Sequence, residues 1–129
     1  MICKEENILK VLREDLLQLE DILACMVVRK NLEGIVPPRE EFKADASEIG
    51  DVLKDTMNEF FDAIKRYSKY GLDKVTFEMG KNDVMFFILP GSDTALVAIV
   101  PAMANRGLLE VELESARSRI IKILETDEA

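Results

Sequence analysis

The stretch from Asp45 to Met79 constrains this chain more than any other: one long helix, a glycine stop and a short strand. Ile49, Leu53, Met57, Phe60, Ile64 and Tyr67 recur at three- and four-residue steps, so they share one helical face. Asp45 followed by Glu48 is an acidic variant of the capping box. Tyr70-Gly71-Leu72 reads as a left-handed C-cap with an apolar residue just beyond it. Val52 and Ala63 fall on one flank of the stripe and Phe61 on the other. At ~100° per residue the apolar arc covers about half the circumference. A helix on the surface of one small domain needs less. The width predicts burial twice, against the chain's own sheet and against a partner. The alternative is that the chain's own loops cover it.

The remaining elements follow in order. Ile8, Leu12, Leu16 and Leu19 form the buried stripe of a first helix over 5–20. Ile22-Leu23-Ala24-Cys25-Met26-Val27-Val28 is a continuous apolar run ending in Arg29-Lys30, as expected of an interior strand over 22–30. Asn31-Leu32-Glu33-Gly34 reads as a hairpin turn with Gly34 at positive φ. The return strand, 34–37, is cut short by Pro37-Pro38 and must be an edge. Arg39 to Ala44 is a polar loop before the long helix over 45–70.

Three strands follow that helix, over 74–80, 83–90 and 94–101. Lys74-Val75-Thr76-Phe77-Glu78-Met79 alternates strictly, whereas Val84 to Leu89 and Thr94 to Val100 are apolar on both faces. The short turns Gly80-Lys81-Asn82-Asp83 and Pro90-Gly91-Ser92-Asp93 make them an antiparallel meander. Asn105 is a suitable N-cap for a last helix over 105–125. Its core stripe is Leu109, Leu113, Ala116, Ile120, Ile123 and Leu124. Early glutamates and late Arg117, Arg119 and Lys122 complement its dipole. The fold class is an α/β (α+β) sandwich on a five-stranded antiparallel sheet, in one domain over 1–129.

Chemistry is sparse. Histidine is absent and the two cysteines, Cys3 and Cys25, form no paired motif, which excludes a Cys/His zinc site and any nucleophile paired with histidine. Gly80-Lys81 lacks the upstream glycine and following helix of a phosphate loop. Tyr67 and Tyr70 read as packing residues, and the six methionines are dispersed. No catalytic residues, metal ligands or cofactor site emerge. The formal charge of −8 and the lack of a basic patch argue against nucleic acid as a partner. No segment reaches the ~20 apolar residues of a membrane span. Met1 to Lys10 lacks the apolar centre of a signal peptide, so a cytoplasmic location is expected.

Element order and local patterns resemble the roadblock / dynein light-chain-7 family over nearly the whole chain. The first hairpin, Asp21 to Val28 through Gly34-Ile35-Val36, resembles that family's opening strand pair. Val97-Ala98-Ile99-Val100, Asn105-Arg106-Gly107-Leu108-Leu109 and the Leu113/Ala116/Ile120 helix resemble its last strand, Asn-x-Gly entry and last helix. Pro37-Pro38 departs from it, standing where members often carry a longer second strand. The resemblance implies strand order 2-1-5-4-3, with the middle helix on one face and the first and last helices on the other. It implies dimers through the middle helix and third strand, and a non-catalytic role regulating or scaffolding a small Ras-like GTPase, or a dynein-light-chain role.

With the wide stripe and an unprotected third strand, it nominates Val52, Met57, Phe61, Ala63, Lys74, Val75, Thr76, Phe77, Glu78 and Met79 as the dimer or partner interface. Two other classes are a small-ligand sensor with a pocket near Phe86 and Phe87, and an enzyme using carboxylate or lysine chemistry.

Overall fold

A computed structural model describes residues 4–30, 32–43, 47–91 and 93–125. Helix α1, Lys4–Val11, continues as a π-helical turn over Leu12–Leu16. Strands β1 (Ala24–Arg29) and β2 (Leu32–Ile35) lead through a 3-10 turn, Arg39–Glu41, to helix α2 (Ser47–Tyr67). Strands β3 (Lys74–Glu78), β4 (Asn82–Ile88) and β5 (Thr94–Pro101) precede helix α3 (Arg106–Glu125). The sheet order is β2-β1-β5-β4-β3, as expected, and every pairing is antiparallel.

The apolar runs of β1, β4 and β5 are buried on both faces because their alternate residues enter two separate cores. Cys25, Val27, Met85, Phe87, Leu96, Ala98 and Val100 pack against Ile8, Leu12 and Leu16 of the first helix and Leu109, Leu113, Ala116 and Ile120 of α3. Met26, Val28, Val84, Phe86, Ile88, Val97 and Ile99 pack against Met57, Phe61 and Ile64 of α2. Both faces of the sheet are thus covered, and among the described residues α2 is the one helix on the second of them.

Several boundaries differ from the sequence expectation for identifiable reasons. The first helix ends at Leu16 rather than residue 20. Lys43 donates to the carbonyls of Leu17 (2.7 Å), Leu19 and Ile22 (3.1 Å), so these groups need no further helical turn. Gly34 does not adopt positive φ. It sits within β2, and a Cβ there would stand 2.4 Å from the Val27 carbonyl oxygen. Glycine permits that close approach beside a register shift between Val27 and Arg29. Val36 lies beyond β2 and is exposed. Gly71 takes φ 80° as the C-cap of a 3-10 turn, Ser68–Tyr70, that follows α2, and Asn105 Oδ1 accepts from the Leu108 amide at 3.3 Å as an N-cap. The expected cap at Asp45, Asn31 of the first turn, Ser92 of the last, and the tail after Glu125 lie outside the described residues.

Candidate functional site at the open edge of helix α2 and strand β3

Strand β3 is the last strand of the sheet and pairs only with β4. Ile88 N–H donates to Asp73 O at 2.9 Å, and Met79 N–H donates to Asn82 O at 3.0 Å. The ladder therefore uses the odd-numbered backbone groups, and those of Lys74, Thr76 and Glu78 point to the open edge. No proline or bulge protects it. The opposite edge, β2, is irregular and stops at Ile35, just before Val36 and Pro37-Pro38.

Side-chain parity divides β3. Val75 and Phe77 lie opposite Phe86 and Val84 and share the α2 face. The Phe77 ring sits 5.5 Å from Phe60 and 5.6 Å from Phe86 between centroids, and Phe60 meets Phe86 edge-on at 4.6 Å. Phe77 nonetheless remains 41% exposed. Between α2 and β3 runs an open groove of about 310 Å³ lined by Leu53, Thr56, Glu59, Phe60 and Phe77.

Helix α2 turns only part of its wide stripe inward. Met57, Phe61 and Ile64 are buried, and Leu53 and Phe60 are half-buried at the groove. Val52, Ala63 and Tyr67 are exposed along one flank. The expectation that Met57 and Phe61 face a partner is therefore corrected. The chain's own sheet covers both, and they brace the surface from beneath. Val52, Ala63, Phe77 and Met79 are accessible, and Val75 is half-buried. Tyr67 and Tyr70, read as packing residues, are 58% and 74% exposed. They extend the apolar flank to the end of the helix, because Phe61 and Ile64 set the inward direction.

On the other face of β3, ion pairs tie the strand to α3. Lys74 meets Glu110 at 3.2 Å. Arg106 bridges Glu78 (3.2 Å) and Asp83. Arg117 donates to Asp73 and to the Ile88 carbonyl at 2.6 Å, with Glu114 at 3.5 Å. The hydrogen bond from Arg117 holds the Asp73 carboxyl below its usual range. Hydrogen bonds to Asp83, then to Glu78, raise the Arg106 guanidinium, and the Asp73 bond raises that of Arg117. Asp83, read as part of a turn, is a buried residue of β4. Its partner is 23 residues away, so no local pattern could reveal the pair.

These charges are matched and act as structural ties. Burial pushes the Cys25 thiol up to about 12, which leaves it a poor nucleophile. Among the described residues no group of three or more Cys, Asp or Glu is placed to hold a metal ion, and no helix is long and apolar enough to cross a membrane.

No family model matches the sequence, and no curated protein matches it. Solved structures do. MglB of Myxococcus xanthus is similar with a TM-score of 0.68 and 17% identity, over 98% of this chain and 92% of that one. The gliding protein MglB of Thermus thermophilus is similar with a TM-score of 0.59 and 14% identity, over 97% and 93%. The fold is that of the roadblock / dynein light-chain-7 type.

Proposed function

We propose that this roadblock-fold chain is a non-catalytic homodimeric adaptor or regulator of a small Ras-like GTPase in the cytoplasm. The observation that carries this reading is the open β3 edge lying beside the exposed apolar flank of α2. An unprotected edge adds strands. Antiparallel pairing of two β3 strands about a two-fold axis extends one sheet across both copies. It also brings Val52, Ala63 and Phe77 of each copy toward the other and builds a composite surface from the two α2 helices. The GTPase assignment rests on the family resemblance and on the MglB-like fold, since roadblock proteins regulate or scaffold such GTPases.

Thr76→Pro tests the dimer sharply. The Thr76 N–H points to the open edge, so proline removes an intermolecular donor and spares the β3–β4 ladder. Light scattering at micromolar concentration should give twice the chain mass for wild type and a folded monomer for the variant. A monomeric wild type sinks the dimer. For the GTPase, hydrolysis and nucleotide exchange are followed with the candidate in both nucleotide states. No response in either rejects that pair.

A ligand-sensor reading has the groove to itself, but Thr56 already donates its hydroxyl to Val52 O at 2.8 Å and the groove is open to solvent. The adaptor reading accounts for both the edge and the flank, and the sensor for neither.

A further inference from the structure

Strand β3 is self-complementary about its own centre. It reads Lys74-Val75-Thr76-Phe77-Glu78, with a cation and an anion at equal steps from Thr76 and an apolar residue between each of them and the centre. Its outward backbone groups, those of Lys74, Thr76 and Glu78, are symmetric about the same residue, because the odd-numbered groups serve β4.

Few registers satisfy such an edge when two copies pair antiparallel. With the two-fold axis at Thr76, every outward residue finds an outward residue: Lys74 faces Glu78 of the second copy and Thr76 faces its own copy. Moving the axis to Val75 leaves Glu78 opposite Leu72, and moving it to Phe77 leaves Lys74 opposite Gly80. An axis at Lys74 or at Glu78 sets like charges face to face, which is destabilising. Side chains select the same register. On the α3 face, Lys74 and Glu78 of opposite copies stand with Cβ atoms ~4.5–5.5 Å apart, twice by symmetry. Both heads can turn to the edge, since the Glu78 side chain is 72% exposed and its cation, Arg106, also holds Asp83, while Lys74 is 42% exposed beside Glu110. On the α2 face, Phe77 meets Val75 of the second copy, whereas an axis at Val75 would set Phe77 against Asp73.

We propose, on the premise of the β3 dimer, that the partner strand is a second copy of this chain held in the one register centred on Thr76. Lys74 and Glu78 are its specificity pair. A strand of another protein fits only if it carries the same inverted charge pattern. Val75 of each copy then covers the exposed edge of Phe77 and adds to the wall of the other copy's groove.

Cysteine scanning and charge reversal test the register. Thr76→Cys, combined with Cys3→Ser, should crosslink to itself on mild oxidation, because paired Cα atoms ~5.5 Å apart lie within disulfide reach. Val75→Cys and Phe77→Cys should stay uncrosslinked alone and join each other when mixed. Lys74→Glu and Glu78→Lys should each weaken self-association about three- to tenfold. An equimolar mixture of those two variants should recover it, since every facing pair is again of unlike charge. Loss of a tie to α3 within one chain cannot produce that recovery. If wild type scatters as a dimer but Val75→Cys or Phe77→Cys crosslinks to itself, or the charge variants fail to recover on mixing, the register is overturned and the dimer stands. A monomeric wild type overturns both.

Discussion

The two faces of the sheet are built to different specifications. On one, the first helix and α3 seal the strands with Ile8, Leu12, Leu16, Leu113 and Ile120 fully buried. On the other, α2 covers the centre of the sheet, with Met57, Phe61 and Ile64, and leaves a groove over β3. The first face is finished by the chain itself. The second is finished only near β1, β5 and β4, and its apolar surface spills over the open edge at Phe77. A self-contained core and an incomplete one thus share the same strands. The incomplete one marks where association has most to gain.

That contrast can be broken by substitution. Leu113→Ala in the sealed face should cost about 2–5 kcal/mol, because a fully buried leucine leaves a cavity with no solvent to refill it. Urea unfolding measures the loss. Phe60→Ala at the groove should cost less, about 1–3 kcal/mol, since its site already opens to water. If Phe60→Ala proves the costlier of the two, the α2 face is as closed as its counterpart.

Arg117→Gln comes next. It strips the Ile88 carbonyl and Asp73 of their guanidinium, for about 1 kcal/mol. It should also change the acid limb. Arg117 depresses the Asp73 carboxyl, so this tie stabilises the fold above the unfolded carboxylate value near pH 4. The contribution is lost as pH falls through the lower folded value. Wild type should therefore destabilise more steeply than Arg117→Gln below about pH 4, by a few tenths of a kcal/mol for so exposed a carboxylate. Parallel acid limbs would show that the tie contributes nothing. The smallest effect is expected at Val52→Ser, within about 0.5 kcal/mol in unfolding of the monomer. The same change should weaken self-association, and a strong loss of monomer stability would place Val52 in the core.

Much of the architecture was legible in the chain. Two-sided apolar runs marked β1, β4 and β5 as interior, and strict alternation marked β3 as half-covered. Gly71 and Asn105 marked a helix stop and start where the structure has them. The site was legible in outline only. Phe77, Val52 and Ala63 are accessible where a partner surface was expected, but Met57 and Phe61 are not. The pairing of Asp83 with Arg106 left no local trace, nor did the arrest of the first helix by Lys43 or the close approach at Gly34.

The division has a physical cause. Periodicity is set between near neighbours, so the residues alone determined which segments are helices and strands, which strands are central, and that α2 carries more apolar width than one contact uses. Which part of that width turns inward depends on how α2 docks over β4 and β5. So does which tyrosines remain outside. That angle comes from packing Phe60, Phe61 and Ile64 against Phe86 and its neighbours, more than 20 residues distant in sequence. Only the tertiary structure could decide it: it left the Val52, Ala63 and Tyr67 flank exposed and turned Met57 and Phe61, also expected at the partner surface, onto the sheet.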